Sequence, residues 1–412
     1  MAMHALGQTR NVFMLGLQAT LIYLVIDFFH IMNFFPGRII FGFLLFLLAL
    51  FVLVGLFVSN PLPRYFVVFI ILAVFLLGGM RAATDPRMME GVPVMVYDSA
   101  VSVEEAALFF LEGKNPYATD FFGTQLDYFD AREQAYWSGF GLDHAPYLYH
   151  YAYFPVSFLF PAPFFALFGR FDVRWLFSLL MLFGFWLLFF LMNNKEHAVV
   201  LLLALSLLLE PMGFFWGLND VVILFLAILA MALAVKNHWR ISWVTLGLMA
   251  AFKLTAVPIL FFFGLWAVSE KKLHHAWAGV LVFLAAMLPF IIWDARAFLE
   301  DTIFFIFGGI PTAYPSRGLY GGLPLLLETI GFSAAQLNSF PFWILQGFVV
   351  LALLPVLLKR FFKEPLPGNV FLYAGVFMLV FTLFSRLVHS NYVIFSLSLL
   401  LIGAFWPDEK GT

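Results

Sequence analysis

A short run of acids gives this chain its clearest chemical signal. Residues 97–117 read YDSAVSVEEAALFFLEGKNPY. The spacing predicts a helix with Ser99 or Ser102 as its cap and Glu104 and Glu105 in the first turn, where the helix dipole favours anions. Ala106, Ala107, Phe109, Phe110 and Leu111 give it an apolar face, Gly113 ends it, and Asn115-Pro116 begins a turn. Such an amphipathic helix lies along a membrane surface. Asp98 stands just before it. A carboxylate there can face a lipid headgroup; it can also be a solvated acid or a helix cap. A second signal is Lys253, in the middle of an apolar segment. An ionisable side chain there is costly and marks a functional site by default, although a lysine can also snorkel toward an interface.

The elements that must hold these groups are membrane helices. Hydrophobic types make up 63% of the 412 residues and charged types 11%, too little charge to clothe a water-facing surface, so lipid must cover most of the outside. Apolar runs long enough to cross the hydrocarbon core lie near 11–32, 38–58, 64–82, 173–192, 198–214, 219–235, 275–293, 341–358, 369–384 and 390–406. The first is read as a retained span, because no small-residue cleavage site follows the opening segment. Two further segments, 152–168 and 241–268, are apolar but irregular: the first holds Pro155, Pro161 and Pro163, the second Lys253 and Pro258. The fold class is all-α, a polytopic helical bundle with a large first outer loop. It divides into two N-terminal helices (1–63), a membrane module that includes the loop at 83–151 (64–293), and a second outer loop with the last helices (294–412).

Basic residues in short loops mark the cytoplasmic side. The clusters are Lys236/Arg240, Lys271/Lys272 and Lys359/Arg360/Lys363. The first two flank segment 241–268, so a single crossing there would put one of them on the wrong side. That segment is therefore expected to enter and return, and 152–168 likewise; two ordinary crossings with one violation of the rule is the other arrangement. Both leave the two termini cytoplasmic. The loop at 83–151 carries eleven acids against Arg87, Lys114 and Arg132, a balance suited to the outside. A second outer region, 294–340, is rich in Gly and Pro and is expected to hold short interfacial helices.

Several short motifs, in order, resemble one group of enzymes. An acid before a short helix and then Gly113-Lys114-Asn115-Pro116-Tyr117 is similar to the first outer loop of polyprenol-phosphate-sugar-dependent glycosyltransferases of the GT-C superfamily, closest to glycosyltransferase family 87, the mannosyltransferase-like group. Tyr151-Ala152-Tyr153-Phe154-Pro155 resembles that family's entry into the next membrane segment. Glu210-Pro211 with Trp216-Gly217-Leu218-Asn219-Asp220 resembles its Pro…Gly-Gln-x-Asn turn, with Leu218 in place of the usual Gln. Gly247-Leu248…Phe252-Lys253…Pro258 and Ser385-Arg386…His389-Ser390-Asn391-Tyr392 resemble two further elements. The likeness runs from about residue 64 almost to the end.

That resemblance implies a reaction and a site. The enzymes are inverting and take a sugar, mannose by family default, from a polyprenyl-phosphate donor on the non-cytoplasmic face. The acceptor is a lipid-linked or envelope glycan, and no metal or other cofactor is required. Asp98 is the expected base. A departing phosphate gains negative charge and needs fixed cations; Lys253, Arg386, His389 and Arg317 are the choices. Glu105, Asn115, Tyr117, Tyr153, Asn219, Asp220 and Tyr320 are expected to touch substrate. The residues also permit plainer roles: Arg386 and His389 at a helix end facing headgroups, Arg317 paired with a loop acid, Asn219 and Asp220 as helix caps. Asp27 and His30 read as interfacial or packing groups.

Other classes fit less well. The chain has no cysteine, which excludes disulfides and thiolate chemistry. A near-neutral chain without an outward basic patch does not suit nucleic acid, and His274-His275 lacks a third metal ligand. A secondary transporter or lipid flippase would use the broken segments, but it predicts inverted repeats that the sequence does not display. A non-catalytic membrane scaffold is the other alternative.

Overall fold

A computed structural model describes residues 2–31, 38–58, 62–90, 93, 96–209, 216–316 and 321–406. The apolar runs all become helices, the one way a single segment satisfies its own backbone in lipid. Helices α1 (Ala2–Ile31), α2 (Arg38–Phe57) and α3 (Leu62–Glu90) lead into the large loop. The loop holds α4 (Asp98–Leu111) and α5 (Asp127–Ser138), and segment 152–168 holds α6 (Val156–Leu159) and α7 (Ala162–Phe168). A bundle follows: α8 (Val173–Leu191), α9 (Lys195–Leu209), α10 (Asp220–Val235), α11 (Trp239–Ala250), α12 (Val257–Ser269) and α13 (Ala276–Trp293). The second loop carries α14 (Ala295–Leu299), a π-helical stretch Glu300–Phe304, α15 (Phe305–Phe307), α16 (Gly322–Thr329) and α17 (Ala334–Ser339). Helices α18 (Phe342–Phe361), α19 (Pro367–Leu383) and α20 (Ser390–Phe405) close the chain.

Among the described residues, helices α8 and α18 and the stretch Leu273–Trp293 are long and apolar enough to cross a membrane, and eight shorter apolar helices accompany them. On α18, Trp343, Phe348 and Leu351 are 72%, 63% and 73% exposed. A helix this bare is stable only where the solvent is itself apolar. The chain is an integral membrane protein.

Segment 241–268 is a hairpin, as the basic clusters require. Helix α11 runs in, breaks at residues 251–256, and α12 runs back. The ring of Trp239, at the start of α11, lies 4.8 Å from that of Trp266, near the end of α12; Trp243 and Phe263 follow at 5.4 Å. Arg240 then covers the Trp277 ring at the start of α13 at 4.7 Å. The two flanking basic clusters therefore share one end of the bundle, the basic end. Gly247 and Gly279 let α11 and α13 meet backbone to backbone: a Cβ on Gly247 would run into the Gly279 carbonyl, a close approach of the kind small residues permit in membranes.

The break frees carbonyls that lipid cannot satisfy. The Phe252 and Ala251 carbonyls are captured by the amides of Phe154 and Val156, at 3.2 and 3.0 Å. Segment 152–168 is thus spliced onto the hairpin tip. Its helices, α6 and α7, are too short to cross and instead pack along α4. In one respect the expectation for α4 fails. It is not a surface helix: Ala100 to Ala107 are all buried, enclosed by α6, α7 and α8.

The hairpin makes a topological prediction. In sealed vesicles, Lys236→Cys, Lys271→Cys and Lys363→Cys in this cysteine-free chain are expected to react with an impermeant maleimide from one side and Arg132→Cys from the other. Opposite sidedness of Lys236→Cys and Lys271→Cys would show that the hairpin crosses.

Candidate active site

Helix α4 is held in place by a buried cluster of charge. Arg87, on the last turn of α3, donates to Glu104 at 3.0 and 2.5 Å, to Asp172 at 3.1 Å and to Gln125 at 2.9 Å. Asp172 caps α8 and takes the Arg174 guanidinium at 2.8 and 2.6 Å. Glu104 also accepts from the Val173 amide at 2.9 Å. Arg174 is fully buried. Burial alone would lower the Arg87 pKa, but Glu104 and Asp172 raise it above its ordinary value. Two bases and two acids balance, which keeps desolvated charge tolerable.

At its N-terminus α4 presents Asp98. The expected serine caps are absent: the N-cap is Tyr97, with no side-chain cap, and Ser102 donates back to the Asp98 carbonyl at 2.8 Å. The Asp98 carboxylate instead accepts from the Ser99 amide at 2.8 Å. Trp216 and Gly217 dock on this end. The Tyr97 amide donates to the Trp216 carbonyl at 2.8 Å, and the two rings lie 5.1 Å apart. Gly217 has a positive φ of 77°, and a Cβ there would meet Ala100 and Arg174. Half-buried Asp98 has Tyr314, Tyr147, Tyr153 and Glu133 within electrostatic range. Burial pushes its carboxyl up, and the Ser99 amide and the Tyr314 hydroxyl pull it back in part.

Lys253 sits at the hairpin tip in extended backbone, φ −163° and ψ 148°. It donates to Asn219 at 3.0 Å and to both oxygens of Asp220 at 3.0 and 2.9 Å. Asn391, from α20, donates to Asp220 at 2.8 Å. The ammonium lies 5.3 Å from the centroid of the Tyr153 ring and 5.6 Å from that of Tyr392. Lys253, Asn219 and Asp220 are all buried. Lys253, expected to meet a departing phosphate, is here paired with Asp220. Asn219 and Asp220 serve that pair.

Arg386 follows α19. It donates to the Tyr314 carbonyl at 2.6 Å and to the Ser316 hydroxyl at 3.4 Å; its Nη1 is buried without a partner among the described residues. Gly308, at φ 75°, leaves room for the guanidinium where a Cβ would collide with it. His389 lies 5.9 Å from the Tyr392 ring. With Trp137, Tyr314, Pro315 and Val388, among others, it lines a small cleft of about 40 Å³. Tyr314 thus neighbours both Asp98 and Arg386, and Tyr153 both Asp98 and Lys253.

Other expected contacts fall elsewhere. Glu105 accepts from the Gln125 amide at 3.3 Å inside the loop. Asn115 closes its own turn through the Tyr117 amide at 3.1 Å. Tyr117 is 4% exposed, packed on Tyr151, Phe158, Phe290 and Phe298, with its hydroxyl on the Tyr153 carbonyl at 2.9 Å. Asn115 and Tyr117, expected at the substrate, here close a turn and brace the extended segment that carries Tyr153. Arg317, Tyr320 and the Glu210-Pro211 part of the turn motif lie outside the described residues. Sequence reasoning missed Tyr314 and Glu133. Glu133 is one of eleven loop acids and accepts from Trp137 at 3.2 Å; Tyr314 is a lone aromatic between prolines, with no periodicity to flag it.

A helical membrane bundle that gathers a carboxylate, an arginine and a closed lysine–aspartate pair at the end opposite its basic loops defines a polytopic membrane protein with a polar site at that end. A family model, glycosyltransferase family 87, matches residues 151–385. That is more than half of the 412 residues, and the chain belongs to this family. Comparison with curated proteins gives no match. Among solved structures, the crystal structure of ArnT from Cupriavidus metallidurans bound to undecaprenyl phosphate is similar, with a TM-score of 0.49, 16% identity, and 83% of this chain and 60% of that one covered. The chain thus spans about 60% of that protein's length.

Removing one member of a buried pair leaves an uncompensated charge. Lys253→Met is expected to cost about 3–5 kcal/mol, read as a lower melting temperature in detergent, and Lys253→Met with Asp220→Leu to recover much of it. A single variant as stable as the parent would show that the pair does not hold the tip.

Proposed function

We propose that this glycosyltransferase takes a sugar, mannose being the default of the group it resembles, from a polyprenyl-phosphate donor and transfers it to an acceptor hydroxyl with inversion, without a metal, on the non-cytoplasmic face. The carrying observation is that Asp98 and Arg386 meet in the neighbourhood of one residue, Tyr314, whose carbonyl takes the Arg386 guanidinium at 2.6 Å and which lies within electrostatic range of Asp98. In the step, the acceptor oxygen forms a bond to the anomeric carbon while Asp98 takes its proton. The bond from that carbon to the phosphate oxygen breaks, and the polyprenyl phosphate leaves with the electron pair. Arg386, through its unpartnered Nη1, and His389 are the groups in reach of the developing charge. Lys253 acts at one remove, by setting the hairpin tip and the Tyr153 ring.

The location fits the chemistry. Rings and a bent backbone exclude much of the water around Asp98, and electrostatic stabilisation is stronger in such a site. A transporter would also use a broken hairpin, but it has no need of a carboxylate placed opposite an arginine.

Incubation of the purified protein with labelled polyprenyl-phosphate mannose and a membrane glycolipid extract is expected to give a labelled product. Asp98→Asn should lower turnover by at least about 100-fold with the elution profile and melting temperature unchanged; retained turnover removes Asp98 from the mechanism. Because burial raises the Asp98 pKa and the base must be ionised, turnover should fall with acidity through a midpoint above the usual carboxylate range.

A further inference from the structure

His150 lies near the end of the first outer loop, yet both of its ring nitrogens reach the second. Nδ1 meets Asp301 at 2.7 Å and Nε2 meets the Thr312 hydroxyl at 2.6 Å, across 151 and 162 positions of chain. Asp301 is 3% exposed on the π-helical stretch, and its other oxygen accepts from the Tyr151 amide at 2.8 Å. An ionised carboxylate only accepts, so His150 keeps its proton on Nδ1, and Nε2 is left to accept from Thr312. The His150 ring also lies 4.7 Å from that of Phe305, which lies 5.1 Å from that of Tyr314. Arg386 grips the same loop. Its guanidinium fills the space beside Gly308 and donates to the Tyr314 carbonyl at 2.6 Å, two residues beyond Thr312. From Gly308 to Ser316 the backbone is irregular, so side-chain ties set its course.

We propose that His150 is a positioning residue that pins the second outer loop through Thr312 and thereby holds the carbonyl that aims Arg386. The role rests on the transfer reaction proposed above. Arg386 Nη1 is buried without a partner among the described residues, and it meets a leaving phosphate only while the loop around the guanidinium stays in place. A displacement of about 1 Å, even one caused far from the chemistry, can cost a large factor in rate. Packing does not call for a hydroxyl at residue 312. Valine fills the same space, but only a hydroxyl ties the loop to His150. The tie also spans the site. Through Asp301 and the Tyr151 amide, His150 is joined to the segment that carries Tyr153. One imidazole thus sets the wall beside Lys253 and the loop beside Arg386 together.

The test uses the full-length protein in detergent, with undecaprenyl phosphate as the probe. Thr312→Val is expected to weaken probe binding about fivefold and to speed hydrogen exchange in the peptide over residues 305–316. Thr312→Ser, which keeps the hydroxyl, should stay within about twofold of the parent in both. His150→Asn, whose amide can reach Asp301 but not Thr312, should behave as Thr312→Val does. In an Arg386→Gln background Thr312→Val should cost no further affinity, because it acts through that guanidinium. Parent-like binding or exchange in Thr312→Val overturns the proposal. So does an equal loss in Thr312→Ser, a parent-like His150→Asn, or additive losses in the double variant. If the parent protein binds no polyprenyl phosphate, the functional reading fails, and exchange alone decides whether His150 holds the loop.

Discussion

A lysine and an aspartate, thirty-three positions apart, close the site end of the bundle by neutralising each other. The Lys253–Asp220 pair joins the hairpin tip to the start of α10, and Asn391 adds the start of α20. Each member has been taken out of water, which costs several kcal/mol per ion. The cost is tolerable because Asn219, both Asp220 oxygens and two aromatic faces surround the ammonium. The position of the Tyr153 ring follows from this arrangement. So does the splice of Phe154 and Val156 onto the broken hairpin. What Asp98 faces is decided by a contact in which it takes no part.

The second loop approaches from the other direction. It brings Tyr314 and, through the Tyr314 carbonyl, Arg386. The site is therefore built between two irregular segments, the hairpin tip and the Gly/Pro loop, with α4 as the fixed wall. Irregular backbone at such a place is tolerated when protein groups satisfy it, and here the captured carbonyls at Ala251 and Phe252 do so.

The helical class was legible because apolar run length and charge scarcity leave little alternative in lipid. The returning hairpin was legible too, since Lys236/Arg240 and Lys271/Lys272 cannot share a side across a single crossing. Asp98 could be singled out from its place before a helix and from a resemblance. The role of Lys253 could not. A lone lysine in an apolar run looks the same whether it awaits a ligand or already holds one, and its partner lies in a different helix. The burial of α4 was hidden for a related reason. Glu104 and Glu105 mark a helix as solvated unless one knows that Arg87, seventeen residues earlier, turns inward to meet Glu104. Asn115 and Tyr117 sit in a turn and in ring packing, contacts that a short motif does not display in sequence.

The charge cluster under α4 has a consequence for how this chain can change over time. Arg87, Glu104, Asp172 and Arg174 sum to zero in a place nearly closed to solvent. A single exchange of sign there strands a charge, whereas a matched exchange does not. Drift at these four positions is therefore confined to paired steps, and related chains should vary Arg87 with Glu104, and Asp172 with Arg174, as correlated columns rather than independently.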